Sequence, residues 1–259
     1  MDNLQIVILG AGNVAFHLSK ALIEANHQII QIYSRTNNSA EILAKQHSTA
    51  FTSNLQMLSN NADLYIITVS DDAISKILEQ YDFINKNVVH TAGCVPISVF
   101  EPELKNYGVI YPLQTFSKSR DVNFREIPIC IEANNNQFES LLLELAGEIS
   151  DSVWKIDSPQ RLQLHLSAVF ANNFVNHLYF IAKDIISESG IDFKILYPLI
   201  NETAKKAMQL GPKLAQTGPA LRNDSESLKK HLELLSSMPE YRAVYNALTK
   251  DIYMKHNKI

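Results

Sequence analysis

The chain has 259 residues, 46% of them hydrophobic and 19% charged, with a formal net charge of −4, two cysteines and only eight glycines. That length holds one large domain or two small ones with real cores, and so low a charged fraction excludes a disordered chain. Mild acidity without a Lys/Arg cluster argues against nucleic acid as a partner, and with neither ~18 unbroken apolar residues nor a basic-then-apolar leader in the sequence, no membrane span and no secretion are expected. A cytoplasmic protein is expected. Cys94 and Cys130 have no C-x-x-C spacing and no His partners at ligand distance. Reduced thiols in or near the core are expected, and no metal site.

Gln5–Leu9 is an apolar run suited to a strand buried on both faces. The turn Gly10-Ala11-Gly12-Asn13-Val14-Ala15 follows, after which Val14, Leu18, Ala21, Leu22 and Ala25 recur at helical spacing. Ile29–Tyr33 predicts a second strand, ending at Ser34-Arg35-Thr36, then a helix near Ser39–Gln46 and a short strand near Thr49–Thr52. Leu64–Val69 predicts a strong strand, with Ser70-Asp71-Asp72 capping a helix through Leu78. Val88–His90, Val109–Tyr111, Ile127–Glu132 and Val153–Ile156 complete the strands, and a helix spans Gln137–Ile149. Alternation of this kind predicts an α/β, Rossmann-type domain over residues 1–156, its sheet mostly parallel and its ligands beyond the carboxyl ends of the strands.

From 157 to 259 the pattern is helical throughout, giving an all-α C-terminal domain. Leu162–Ser187 contains no Gly or Pro, Phe193–Leu210 is stopped by Gly211-Pro212, Asp224 caps a further helix and Pro239 opens the last.

Gly10-x-Gly12-x-x-Ala15 after a strand and opening a helix supplies the parts of a dinucleotide-binding turn: glycines for close approach, free N–H groups, and the positive end of a helix. Gly10, Ala11, Gly12, Asn13 and Val14 are therefore expected to hold the pyrophosphate. An acidic residue at the end of the second strand would select NAD, but the chain has Ser34, Arg35 and Thr36 there, which fits the 2′-phosphate of NADP and disfavours a methyltransferase. Val69, Ser70 and Thr91, past later strands, are expected beside the cofactor, and His90, Gly93, Gln114 and Thr115 beside a substrate. On a regular helix counted from His165, Asn172 falls at about −20° and Asn176 at about +20°. This polar stripe on an otherwise apolar helix makes His165 the candidate proton donor and the two Asn residues its substrate-orienting partners.

Gly10–Val14, Tyr33-Ser34-Arg35, Val89–Gly93, Tyr111–Ser117, His165–Phe174 and Thr217–Arg222 together make the chain resemble the Rossmann-like family that carries the C-terminal DUF2520 domain, NADP oxidoreductases distantly related to pyrroline-5-carboxylate reductase, ketopantoate reductase and β-hydroxyacid dehydrogenases. The resemblance implies a fold like that of 6-phosphogluconate dehydrogenase, NADP as cofactor, a small carbonyl, imine or hydroxy-acid substrate, and a homodimer built through the helical domain. His165 stands where many of these enzymes have a catalytic Lys, Tyr111 where relatives often have His, and Asn223 replaces Gly in an Arg-Gly-Asp triplet. The competing expectation is a non-catalytic, NADP-binding dimeric sensor. A cavity lined by His165, Asn172 and Asn176 discriminates for the enzyme.

Overall fold

The computed structural model describes residues 3–100 and 104–257. Its strands are β1 (Gln5–Leu9), β2 (Gln28–Tyr33), β3 (Ala50–Thr52), β4 (Leu64–Ile67), β5 (Asn87–His90), β6 (Asn106–Pro112), β7 (Ile129–Ala133) and β8 (Val153–Lys155). They form one sheet in the order β3-β2-β1-β4-β5-β6-β7-β8, every adjacent pair parallel except β6 with β7. The expected α/β fold with a mostly parallel sheet is what forms. Its helices are α1 (Asn13–Glu24), α2 (Asn37–His47), α3 (Asp71–Gln80) and α4 (Asn136–Ile149).

The apolar runs explain the layers. In β1, Ile6 and Ile8 point to one face, where they join Leu18 and Leu22 of α1, Leu43 of α2 and Leu142 and Leu145 of α4. Val7 and Leu9 alternate to the other face, among Ile74 and Ile77 of α3. A strand covered on both sides has no polar alternation to offer, which is why β1 and β4 read as continuous hydrophobic segments. Strand order reverses between β1 and β4, and in sheets of this kind the crevice lies at that switch point.

Beyond β8 every described element is helical. Asp157 caps α5 (Ser158–Ala168) through a reciprocal pair with Gln160. The packing boundary lies further on: the chain divides into two compact units between Asn173 and Phe174, whereas the change of periodicity places it at 156/157. The reason is that α5 is fastened to the sheet. Arg161, 1% exposed, pairs with Glu132 of β7 and donates from Nη2 to the Val95 carbonyl at 2.6 Å. Leu164 packs with Val109, Tyr111 and Cys130.

The second unit comprises α6 (Val175–Ser187), α7 (Tyr197–Leu210), α8 (Pro212–Ala215), α9 (Pro219–Arg222), α10 (Ser225–Leu234) and α11 (Pro239–His256). Asn223 adopts left-handed backbone (φ 53°) between α9 and the Asp224 cap of α10. Asn tolerates that region better than most residues, so it substitutes for the expected glycine. No helix among the described residues is long and apolar enough to cross a membrane.

Candidate active site

Register sets the site. Leu9 pairs with Tyr33 on one side and Ile67 on the other, and Ile67 pairs with His90. The first residues past these strands, Gly10, Ser34, Thr68 and Thr91, therefore lie level along one edge of the sheet.

Gly10 has φ of 135° and donates its amide to the Tyr33 carbonyl at 2.7 Å. A Cβ there would come within 2.8 Å of the Thr68 carbonyl oxygen, so conformation and close approach both require glycine. Gly12 differs. Its backbone is extended (φ −81°, ψ −166°) and a Cβ would enter open space. The fold makes no demand for glycine at this point; its smallness leaves room against the first turn of α1, whose N-terminus has no side-chain cap.

Around this turn lies a cleft of about 600 Å³, lined by Gly10, Ala11, Gly12, Ser34, Arg35, Thr36, Val69 and Ser70, together with Ser39, Asp72 and Lys76. Neither α1 nor α2 has an acidic residue in its first turn, whereas α3 begins with Asp71 and Asp72. The positive ends of α1 and α2 are thus open to anions, and that of α3 is already offset. Arg35, just before α2, has no ion pair among the described residues. The glycine turn and Ser34-Arg35-Thr36 are thus two places whose chemistry suits phosphate, and these residues fit the pyrophosphate and the 2′-phosphate of NADP.

Asn13 and Val14 form the first turn of α1, outside the cleft lining; Asn13 Nδ2 donates to the Phe116 carbonyl at 2.9 Å. Thr91 is buried, and its amide and hydroxyl donate to the Ile67 carbonyl at 3.1 and 3.4 Å. It ties β5 to β4 instead of lining the cleft. Lys118, which sequence reasoning passed over, donates from Nζ to the Ala11 carbonyl at 2.8 Å and brings a further cation to the glycine turn. It ends a strap that runs from Tyr111, near the end of β6, to Lys118 and is bound by α1 as well: His17 Nε2 donates to the Ser117 carbonyl at 2.9 Å and its ring stacks on Phe116.

A second cavity of about 410 Å³, also within the first unit, is lined by Tyr111, Leu113, Gln114, Thr115, Leu164, His165, Ser167, Ala168, Val169, Ala171, Asn172 and Asn173. Tyr111 is 8% exposed. Burial, reinforced by the Cys130 and Cys94 thiols and opposed by the Arg161 cation, pushes its phenol up to about 12. The phenol therefore keeps its proton, and its oxygen lies 2.9 Å from His165 Nδ1, donating or accepting according to the tautomer of the ring. Where Nδ1 accepts, the ring proton sits on Nε2, which has no partner among the described residues. Gly93 backs the imidazole closely: a Cβ there would lie 2.5 Å from Nδ1 and 2.8 Å from Cγ. The glycine expected at the substrate instead makes room for His165.

His90, also expected at the substrate, is in the core. It is fully buried, its ring stacks on Phe100, and its Nδ1 accepts from the Ala92 amide at 3.1 Å. Its Nε2 has no partner at hydrogen-bond distance, although the Pro96 carbonyl lies near enough to favour the charged form slightly. Burial, followed by the Arg161 cation, outweighs that contact and pulls the imidazole down to about 3. Cys130 is buried, as expected of a core thiol, while Cys94 is exposed; both are free.

The polar stripe is interrupted. Val169–Phe174 is a π turn, whose bonds close over five residues, so the regular 100° spacing fails there. Asn172, within the turn, still lines the cavity beside His165. Asn176 lies past it, exposed, in the second unit.

Residues 5–92 match the family described as NADP oxidoreductase, coenzyme F420-dependent, and residues 127–252 match the domain of unknown function DUF2520. The crystal structure of a Bacteroides fragilis protein named "putative NADP oxidoreductase" is 40% identical, with a TM-score of 0.90 over 97% of this chain and 98% of that one. The chain belongs to this family of NADP oxidoreductases. Its fold recurs at lower identity in pyrroline-5-carboxylate reductase from Streptococcus pyogenes (13% identical, TM-score 0.66, all of both chains). It recurs again in a reductive aminase from Aspergillus terreus solved with NADPH and ethyl levulinate (12%, TM-score 0.76, covering 96% of this oxidoreductase and 92% of the aminase). A comparison with curated proteins returned no match.

Proposed function

We propose that the protein is an NADPH-dependent reductase of a small carbonyl or imine compound, working as a homodimer in the cytoplasm. The observation that carries this reading is the Gly93–His165–Tyr111 set, which presents an imidazole bonded to a buried phenol to a cavity lined by the strap that also reaches the glycine turn. When bound, NADPH supplies a hydride to the carbonyl or imine carbon. In the tautomer in which Nδ1 accepts from Tyr111, His165 Nε2 gives its proton to the substrate oxygen or nitrogen while the Tyr111 proton passes to Nδ1, and water returns a proton to the phenolate; Asn172 orients the substrate, and Gln114 and Thr115 form the facing wall. Arg35, with Ser34 and Thr36, selects NADPH over NADH.

The homodimer is supported by the helical unit's thin core. Among its described residues only Ile181, Ala220 and Leu235 are buried, while Met208, Leu214 and Leu234 are more than three-quarters exposed, at 78%, 76% and 77%. A surface that apolar is covered in a stable soluble protein. Exposed, unpaired Cys94 suits a reducing compartment.

Steady-state assays with both nucleotides test the reading. Replacing Arg35 by Ala raises KM for NADPH by about 10- to 100-fold, the worth of a charge-assisted phosphate contact, and leaves KM for NADH almost unchanged. Equal use of the two nucleotides by the unaltered protein, or full turnover after His165→Ala, overturns it.

A further inference from the structure

The reductase reading leaves open what kind of carbonyl or imine the second cavity takes, and its wall answers in terms of charge. Tyr111, Leu113, Leu164, Ala168 and Val169 supply apolar surface, and His165 with the neutral side chains of Gln114, Thr115 and Asn172 supplies the polar atoms. Among the described residues, no Lys, Arg, Asp or Glu side chain lines this cavity.

Two cations of the first unit that lie close to this wall in the chain are committed elsewhere. Arg161 is buried one helical turn before His165, paired with Glu132 and bonded to the Val95 carbonyl. Lys118, past Thr115 on the strap, is held at the Ala11 carbonyl of the glycine turn. The amino end of α5 offers no anion seat either, because Asp157 and Gln160 already close it as a capping box. A carboxylate entering this cavity loses water and meets only neutral donors, a transfer that is costly for an ion and mild for an uncharged carbonyl. A single neutral donor, Nε2–H of His165, is enough to engage a carbonyl oxygen or imine nitrogen.

We infer that the enzyme selects substrates with no carboxylate: a ketone, aldehyde or imine, or the ester of a keto acid in preference to the acid itself. The inference rests on the reductase reading and divides its substrate range, setting hydroxy-acids and imino-acids outside it. The product is then an uncharged alcohol or an amine, formed by one hydride added at carbon and one proton at the heteroatom.

The test uses the full chain with NADPH and matched pairs that differ only in charge: ethyl levulinate against levulinate, and 1-pyrroline against 1-pyrroline-5-carboxylate, with NADPH oxidation followed optically. The uncharged member of each pair is expected to have kcat/KM higher on the order of 100-fold. Ser167→Arg, at an exposed position of the cavity wall, is expected to narrow that ratio by about tenfold by raising kcat/KM for the carboxylates. Preference for the carboxylate members in the unaltered protein overturns the inference and leaves the reductase reading standing. Failure of every member of both pairs to oxidise NADPH, together with no competition between them and a wider panel of ketones and imines, overturns the reductase reading and the inference with it.

Discussion

Replacing Tyr111 by Phe removes one oxygen from a ring that is 8% exposed and leaves its packing against Cys130 and Val109 in place. What is lost is the 2.9 Å bond to His165 Nδ1. A neutral hydrogen bond of this kind contributes about 1 kcal/mol net, so the stability loss is expected to be of that size. The larger effect falls on the imidazole. Without the phenol as donor, Nδ1 no longer has to accept, and the ring is free to place its proton on either nitrogen. If the population with the proton on Nε2 falls to about a tenth, kcat falls about tenfold, equivalent to ~1.4 kcal/mol of barrier, while KM for NADPH stays constant. Three measurements read the outcome: kcat and KM with a neutral ketone, nitrogen chemical shifts of the His165 ring for the tautomer, and urea denaturation for stability. A lower urea midpoint with unchanged kcat and unchanged tautomer would show that the phenol is a packing group only, and the positioning argument would be refuted.

The two glycines of the turn separate fold from function. Gly10→Ala, at φ 135° and against the Thr68 carbonyl, is expected to destabilise by about 1–3 kcal/mol, whereas Gly12→Ala, in open space with ordinary backbone, leaves the melting temperature near its original value and weakens NADPH binding at least about tenfold in a fluorescence titration. Arg161→Met removes the cation paired with Glu132, leaving the carboxylate only its bonds from Ser158, and is expected to cost about 3–5 kcal/mol in denaturant unfolding. His90, held down to about 3 against an ordinary 6.5, makes the unfolded chain the first to take up a proton on acidification. Stability from this group is complete above pH 6.5 and is lost as pH falls toward 3, by up to about 1.4 kcal/mol per pH unit; His90→Asn, which keeps an acceptor for the Ala92 amide, should flatten that slope in urea midpoints compared at pH 7 and pH 4.5.

The parts of the fold legible in the sequence are those set by local pattern. Ile6–Leu9 and Leu64–Ile67 declare themselves as buried parallel strands because neither face has a polar requirement, and Gly10 and Gly12 announce a turn because few other residues can make it. Arg35 was legible because its position is fixed by the end of β2. The partners of His165 were not. Gly93, in the loop after β5, and Tyr111, in β6, reach it across long separations in the chain, and nothing in the local pattern of any of the three segments encodes the pairing. The same holds for Lys118 at Ala11. His90 illustrates the converse error: a polar residue at a strand end looks available, yet its ring turns into the space beside Phe100. The stripe from His165 to Asn176 assumed a uniform helix, and the π turn that breaks it has no compositional signature in Val169–Phe174.

The strap from Tyr111 to Lys118 has a consequence for how such an enzyme diversifies. Its first residue holds the imidazole, Gln114 and Thr115 wall the second cavity, and its last residues grip the glycine turn and α1. A change along it therefore acts on the glycine turn and on the second cavity together, so selection at one would disturb the other. Apart from His165 and Asn172, the helical wall from Leu164 to Asn173 carries no such double duty. New specificities in this lineage would accumulate on that helical face while the strap stayed still.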